Sequence, residues 1–142
     1  MDDVYHHALK ALRRRDLTES QLRERLTARF GDAPEATLEL LRSKRFLDDR
    51  RYAENFAAKH ETSHPDWVRA ALTDAGVSAE IVEEVVAARV WPSLRDVANA
   101  KMTALRLRPP VRPKDAARLF RALARLGYPE DEIREELERL HE

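Results

Sequence analysis

Cysteine is absent from this chain, which rules out a disulfide, a thiolate metal site and a cysteine nucleophile. Glycine is scarce, with three in 142 residues, and aromatic residues make up only 6%. Both shortages speak against a β-sandwich or barrel, which draws on glycine turns and aromatic strands. Three glycines also cannot build a glycine-rich phosphate loop. No run comes near the roughly 18 apolar residues of a membrane span. Met1-Asp2-Asp3 opens acidic with no apolar stretch behind it, so no secretory leader is expected, and the expected compartment is the cytoplasm. An excess of either charge is missing too, since 26 Lys and Arg balance 26 Asp and Glu.

What is present is helix. Apolar residues reach 43%, enough for a core, and charged residues reach 37%, which suits many thin amphipathic helices with wide wet faces. The length is that of one domain or a short array of repeats. Thr18-Glu19-Ser20-Gln21 reads as a capping box ahead of Leu22, Leu26 and Phe30. Pro34 fits a first-turn proline before Leu38 and Leu41, and Asp48 caps a helix whose buried face is Tyr52, Ala53 and Phe56. Pro65 opens the next, with Val68 and Leu72 inward and Gly76 as its stop. Ser78 caps the helix of Val82 and Val86, and Ser93 restarts the pattern after Pro92. Arg108-Pro109-Pro110-Val111-Arg112-Pro113 is a stiff connector, because its prolines lack the amide donor. Nine helices are expected, near 2–14, 19–30, 34–45, 49–61, 65–75, 79–90, 93–107, 114–126 and 130–141.

The pattern recurs. A shift of 51 residues lays Val68, Leu72, Gly76, Val77, Val82 and Val86 on Leu119, Leu123, Gly127, Tyr128, Ile133 and Leu137. A shift of 46 lays Leu22 and Leu26 on Val68 and Leu72. A period near 50 residues points to tandem three-helix repeats that stack on their neighbours. Repeat boundaries are expected at 1–47, 48–92 and 93–142.

One segment carries more than periodicity. Phe46-Leu47-Asp48-Asp49-Arg50-Arg51-Tyr52-Ala53, continuing to Phe56, resembles the signature of the RecX family of bacterial recombinase regulators, which reads Gly-aromatic-Leu-(Asp/Asn)-Asp-x-Arg-aromatic-Ala. Ala8, Leu9, Leu12, Arg15, Leu22 and Leu26 are similar to that family's first repeat, and the resemblance runs on through Leu137. Arg45 stands where the family has glycine, and Phe30-Gly31 departs from the usual turn. The resemblance implies an all-α protein of three tandem three-helix repeats in an elongated, curved array. It also implies a partner, the RecA filament on DNA, whose groove such a protein occupies or whose growth it blocks. Read from the residues alone, Phe46, Leu47, Tyr52 and Phe56 pack a seam, Asp48 and Asp49 serve a helix start, and Arg50 and Arg51 point outward.

Catalysis finds no constellation here. Asp48, Asp49 and Glu54 read as capping and solvated charge rather than an acid pair. His60 and His64 are four apart, but Pro65 places them on different elements, and His6-His7 diverge by about 100° on a helix. None of Ser20, Ser43, Ser63, Ser78 or Ser93 sits in a nucleophile elbow. Trp67 and Trp91 read as packing residues rather than base-stacking platforms.

Charge supplies the candidate surface. Residues 98–128 hold eight Lys and Arg against one acid, whereas 129–142 hold seven acids against two Arg. The basic set is Lys101, Arg106, Arg108, Arg112, Lys114, Arg118, Arg121 and Arg125, and the last three follow three- and four-residue steps along one helix face. Arg13, Arg14, Arg15, Lys44, Arg45, Arg50 and Arg51 form a second basic group. The plain alternative is a solvated face balanced by the acidic last helix. The functional one is contact with an acidic protein groove or with single- or double-stranded DNA phosphates. Two rival functions stay open beside RecA regulation: a direct DNA-binding helical-repeat protein, and a helical adaptor for another protein. A monomer is expected, with no cofactor, membrane or small-molecule substrate.

Overall fold

Apolar side chains at three- and four-residue steps, opened by side-chain caps and closed by left-handed turns, put most of this chain into helix. The computed structural model describes residues 3–140, and among them there is no strand. The helices are α1 (Asp3–Arg14), α2 (Glu19–Phe30), α3 (Glu35–Ser43), α4 (Asp49–Lys59), α5 (Pro65–Asp74), α6 (Ala79–Ala87), α7 (Leu94–Ala104), α8 (Pro113–Arg125) and α9 (Glu130–Arg139). All nine expected helices are present among the described residues. None of them is long and apolar enough to cross a membrane.

Where the bounds differ from expectation, the cause is local. Pro34 is the cap residue of α3 rather than its first helical residue. Pro113 opens α8, because a first-turn proline has no amide to lose and its φ is already helical. Helix α6 stops at Ala87, since Pro92 disfavours helical backbone at Trp91 and Val90 stands fully in solvent. Helix α7 stops at Ala104 because Arg106 enters the left-handed region at φ 58°.

The chain forms two compact units, one from the residues up to Lys59 with Arg69–Ala88, the other from His60–Val68 with the chain from Arg89 onward. In the first, Tyr5, Ala8, Leu17, Leu22, Leu26, Leu38, Leu41 and Leu47 close a core between α1, α2 and α3. Ala53 and Ala57 of α4 lie against α6, whose Val82, Val85 and Val86 are buried. In the second, Val97, Ala98, Met102, Val111, Leu119, Leu123, Tyr128, Ile133 and Leu140 close a core between α7, α8 and α9.

Four helix ends use one device. After α3, α5, α7 and α8 a residue with positive φ follows the last turn: Arg45, Gly76, Arg106 and Gly127. The next amide then reaches back five residues, from Phe46 to the Leu41 carbonyl (2.9 Å), Val77 to Leu72 (3.1 Å), Leu107 to Met102 (2.8 Å) and Tyr128 to Leu123 (3.5 Å). These are Schellman turns, which satisfy carbonyls that the helix leaves without partners.

The two glycine turns are also joints. The carbonyl before Gly76, that of Ala75, accepts from the Thr18 hydroxyl, and the carbonyl before Gly127, that of Leu126, accepts from the His64 amide at 2.8 Å. The 51-residue shift that relates the glycines therefore relates their partnered carbonyls as well. Thr18 is fully buried and does three jobs: its hydroxyl also accepts from the Gln21 amide (3.1 Å), and its amide donates to Gln21 Oε1 (3.0 Å). Replacing Thr18 with valine keeps the shape but removes the cap and leaves the Ala75 carbonyl without its donor. The expected cost is about 2–4 kcal/mol, while serine at the same position should cost about 1 kcal/mol for the lost methyl. Urea midpoints of the two variants measure this; equal midpoints would deny the hydroxyl that role.

Candidate basic interaction surfaces

The signature segment lies at the reversal from α3 into α4. Asp48 Oδ1 accepts from the Arg51 amide at 3.0 Å and so caps α4. Asp49 stands in the first turn of its own helix, as its reading as a dipole partner requires, and it also accepts from the Glu19 amide at 2.9 Å and so serves the start of α2. Burial is the main reason that its carboxyl titrates above the ordinary range. Arg51 does not stand out in solvent. Its guanidinium folds back to the carbonyls of Arg45 (2.8 Å) and Phe46 (3.4 Å), which clamps the turn. Arg50 is ion-paired with Glu84.

The apolar half of the signature divides in the same way. Leu47 is in the core at 3% exposure, but Phe46, expected beside it in a packed seam, is 38% exposed. The left-handed residue Arg45 turns the chain so that Leu47 rather than Phe46 faces inward. Tyr52 and Phe56 stack with centroids 6.3 Å apart, and Ala53 is fully buried. Arg45 adopts φ 61° despite its side chain. Glycine there should therefore raise stability by about 0.5–1 kcal/mol, the left-handed penalty less the extra freedom glycine has when unfolded. An unchanged or lower urea midpoint for Arg45→Gly would contradict this. Arg13, Arg14, Arg15, Lys44 and Arg45 are exposed, and no carboxylate pairs with any of them among the described residues.

In the second compact unit the basic set spreads over α7, the proline connector and α8. Asp115 holds two of its members, with Arg112 at 3.7 Å and Arg118 at 3.6 Å. The connector is anchored by Val111, buried and donating to the Leu140 carbonyl at 3.3 Å, and its Pro109–Pro110 bond is cis. Arg106, Arg108, Lys114, Arg121 and Arg125 are exposed and Lys101 is half-buried, all without a carboxylate partner among the described residues. The acids of α9 do not neutralise the arginines of α8. Glu130 pairs with Arg134 at 3.2 Å, and Glu136 takes Arg139 at 3.0 Å and Arg95 at 3.5 Å.

His60, His64, Trp67 and Trp91 all make ring contacts. His64 Nδ1 accepts from the Asp66 amide at 3.0 Å and its ring meets Tyr128 edge-on, while His60 tilts against Trp67. Trp67 also lies on Gly127, and Trp91 takes Arg89 over its ring at 6.0 Å. Among the described residues no three His, Asp or Glu gather as metal ligands would.

No protein-family model matches the chain. It is similar to the regulatory protein RecX of one strain of Thermus thermophilus, at 38% identity over 126 residues, which is 87% of this chain and 82% of that protein. The regulatory protein RecX of a second Thermus thermophilus strain gives the same figures. The chain belongs to the RecX family. A regulatory protein RecX from Clostridium botulinum is 28% identical over 135 residues, covering 90% of this chain and 64% of the longer relative.

Within this RecX-family chain, the sequence reading missed a third basic cluster. Lys10 and Arg14 of α1 face Arg25 and Arg29 of α2 across a cleft of about 200 Å³ that His7 and Ala11 also line. The signal was available as helical steps, 7-10-14 in α1 and 25-29 in α2. Runs of charge do not reveal it, because Glu19 and Glu24 dilute α2 in sequence but sit elsewhere on the helix.

Proposed function

We propose that this chain is a negative modulator of the RecA recombinase, binding the groove of the RecA–DNA filament and restraining filament growth, ATP turnover and strand exchange. The observation that carries the reading is membership in a family whose similar members are named regulatory proteins. Two features support it. Most members of both basic groups, Arg50, Arg112 and Arg118 excepted, have no carboxylate partner among the described residues, so they are available to an acidic protein surface or to DNA phosphates. One open cleft of about 560 Å³ is lined by mixed charge, with Glu19, Arg42, Arg45, Asp48, Asp49 and Arg50 on its walls.

In this reading the protein acts by binding and not by catalysis, as a cytoplasmic monomer. The three repeats, 1–47, 48–92 and 93–142, each add a weak contact. Linked weak contacts gain from effective concentration, so the whole binds far more tightly than any part. Binding that favours one filament state over another shifts the population of states by that difference in affinity. The test mixes purified protein with RecA on single-stranded DNA and follows ATP turnover and co-sedimentation. Turnover should fall as the protein enters the pellet with the filament. Unchanged turnover with no co-sedimentation at micromolar protein would remove the reading.

A further inference from the structure

The α1–α2 cleft is where unpaired cations of the first compact unit, from two helices, line one cavity. Several other arginines of that unit meet carboxylates: Arg23 meets Glu19 (3.2 Å) and Glu35 (2.8 Å), and Arg69 meets Glu83 (3.1 Å). Arg42 is held by the same two glutamates as Arg23, and Arg50 by Glu84. Lys10, Arg14, Arg25 and Arg29 have no such partner among the described residues, although they converge on one cleft. Four cations held together without a counter-charge repel one another, and that repulsion is relieved only when an anion enters. The cleft also has an apolar rim. Phe30, at the end of α2, is 37% exposed, meets the His7 ring edge-on at 5.5 Å and carries the Arg29 guanidinium over its ring at 5.6 Å.

We propose that the α1–α2 cleft, walled by His7, Lys10, Arg14, Arg25 and Arg29, binds the phosphodiester backbone of single-stranded nucleic acid, with a base lying against Phe30. A diester suits the site because it keeps its charge at every physiological pH and spaces that charge along a strand. A strand also brings unpaired bases with apolar faces, for which the aromatic rim is the matching surface. An acidic peptide would satisfy the cations but give Phe30 nothing to do. The assignment goes beyond the recombinase reading and needs no recombinase, so each can fail without the other.

His7 makes the site sensitive to pH. The groups acting on it are Lys10 from its own helix and Arg25 and Arg29 from α2, all cationic, with none from α3. Burial first, then these charges, hold its ring below the ordinary histidine value. A bound phosphate reverses the local field and favours the protonated ring. Affinity therefore rises as pH falls through the bound-state value, and His7 takes up a proton on binding.

The experiment titrates a fluorescent twelve-nucleotide thymidine strand with the full chain, by anisotropy in low salt, without RecA. Arg25→Glu combined with Arg29→Glu should weaken binding roughly tenfold or more and reduce the log–log salt slope by about 1.4, two phosphates' worth. Phe30→Ala should weaken it about fivefold. His7→Gln should remove the strengthening seen on going from pH 7.5 to 6. All four residues are exposed or half-buried, and unchanged far-UV circular dichroism identifies folded variants. Equal affinity of folded Arg25→Glu/Arg29→Glu and the parent chain would overturn the proposal. So would pyrophosphate, a glutamate oligomer of equal charge, or duplex DNA of equal length binding as tightly, since each lacks the strand-and-base chemistry assigned here.

Discussion

Replacing Gly127 with alanine is expected to cost about 3 kcal/mol and to lower the melting midpoint by about 10 °C. Two effects add. The residue sits at φ 92°, in the left-handed region that a Cβ disfavours by about 1–2 kcal/mol. The methyl would also stand 2.4 Å from the Cβ of Trp67, an atom that cannot move without its backbone. Gly76 stands in the same position, at φ 92° and with Ser20 Cβ 2.3 Å from an added methyl, so Gly76→Ala should behave alike. The control is the matching turn at Arg45, which is left-handed yet already carries a side chain. Arg45→Ala should change the midpoint little, because neither the turn nor its packing is altered. Thermal unfolding followed by circular dichroism decides the matter. A loss of only about 1–2 kcal/mol would mean that the joints yield and that turn geometry rather than close approach selected glycine, and variants as stable as the parent would refute both contributions.

The second large effect concerns function. If the arginines of α8 meet an acidic filament surface, reversing Arg121 and Arg125 together to glutamate should raise the concentration for half-inhibition of RecA ATP turnover by about ten- to a hundredfold. Both are exposed and neither has a carboxylate partner among the described residues, so folding stability should stay within about 0.5 kcal/mol. Arg118 makes a useful contrast. It pairs with Asp115, so Arg118→Glu disturbs a local ion pair as well as the surface. Inhibition by Arg121→Glu/Arg125→Glu at parental concentrations would take α8 out of the contact. It would leave the basic residues of the first compact unit to carry it.

These outcomes divide along a line that the sequence could already see and one that it could not. Thr18 with Gln21, Ser78 and Ser93 as caps, and Gly76 and Gly127 as stops, are all legible from spacing because each bond closes within one or two helical turns. The 51-residue correspondence around the glycines was equally visible, and in the folded chain the Ala75 and Leu126 carbonyls are held in matching joints. The left-handed turn at Arg45 was the harder case. A glycine would have announced it, whereas an arginine hides the same φ.

The sequence by itself determined an all-helical chain, the order and approximate ends of its helices, and the residues of its family signature. Short-range hydrogen bonds and the 3.6-residue period set those features. Only the tertiary structure decided which charges remain available. Arg51 turns onto the carbonyls of the preceding reversal, Arg50 of α4 finds Glu84 of α6, Phe46 faces solvent, and Lys10, Arg14, Arg25 and Arg29 are left together without a carboxylate. The reason is that an ion pair or an exposed cluster depends on distances between helices far apart in the chain. Coulomb energy reads those distances, and residue spacing does not record them.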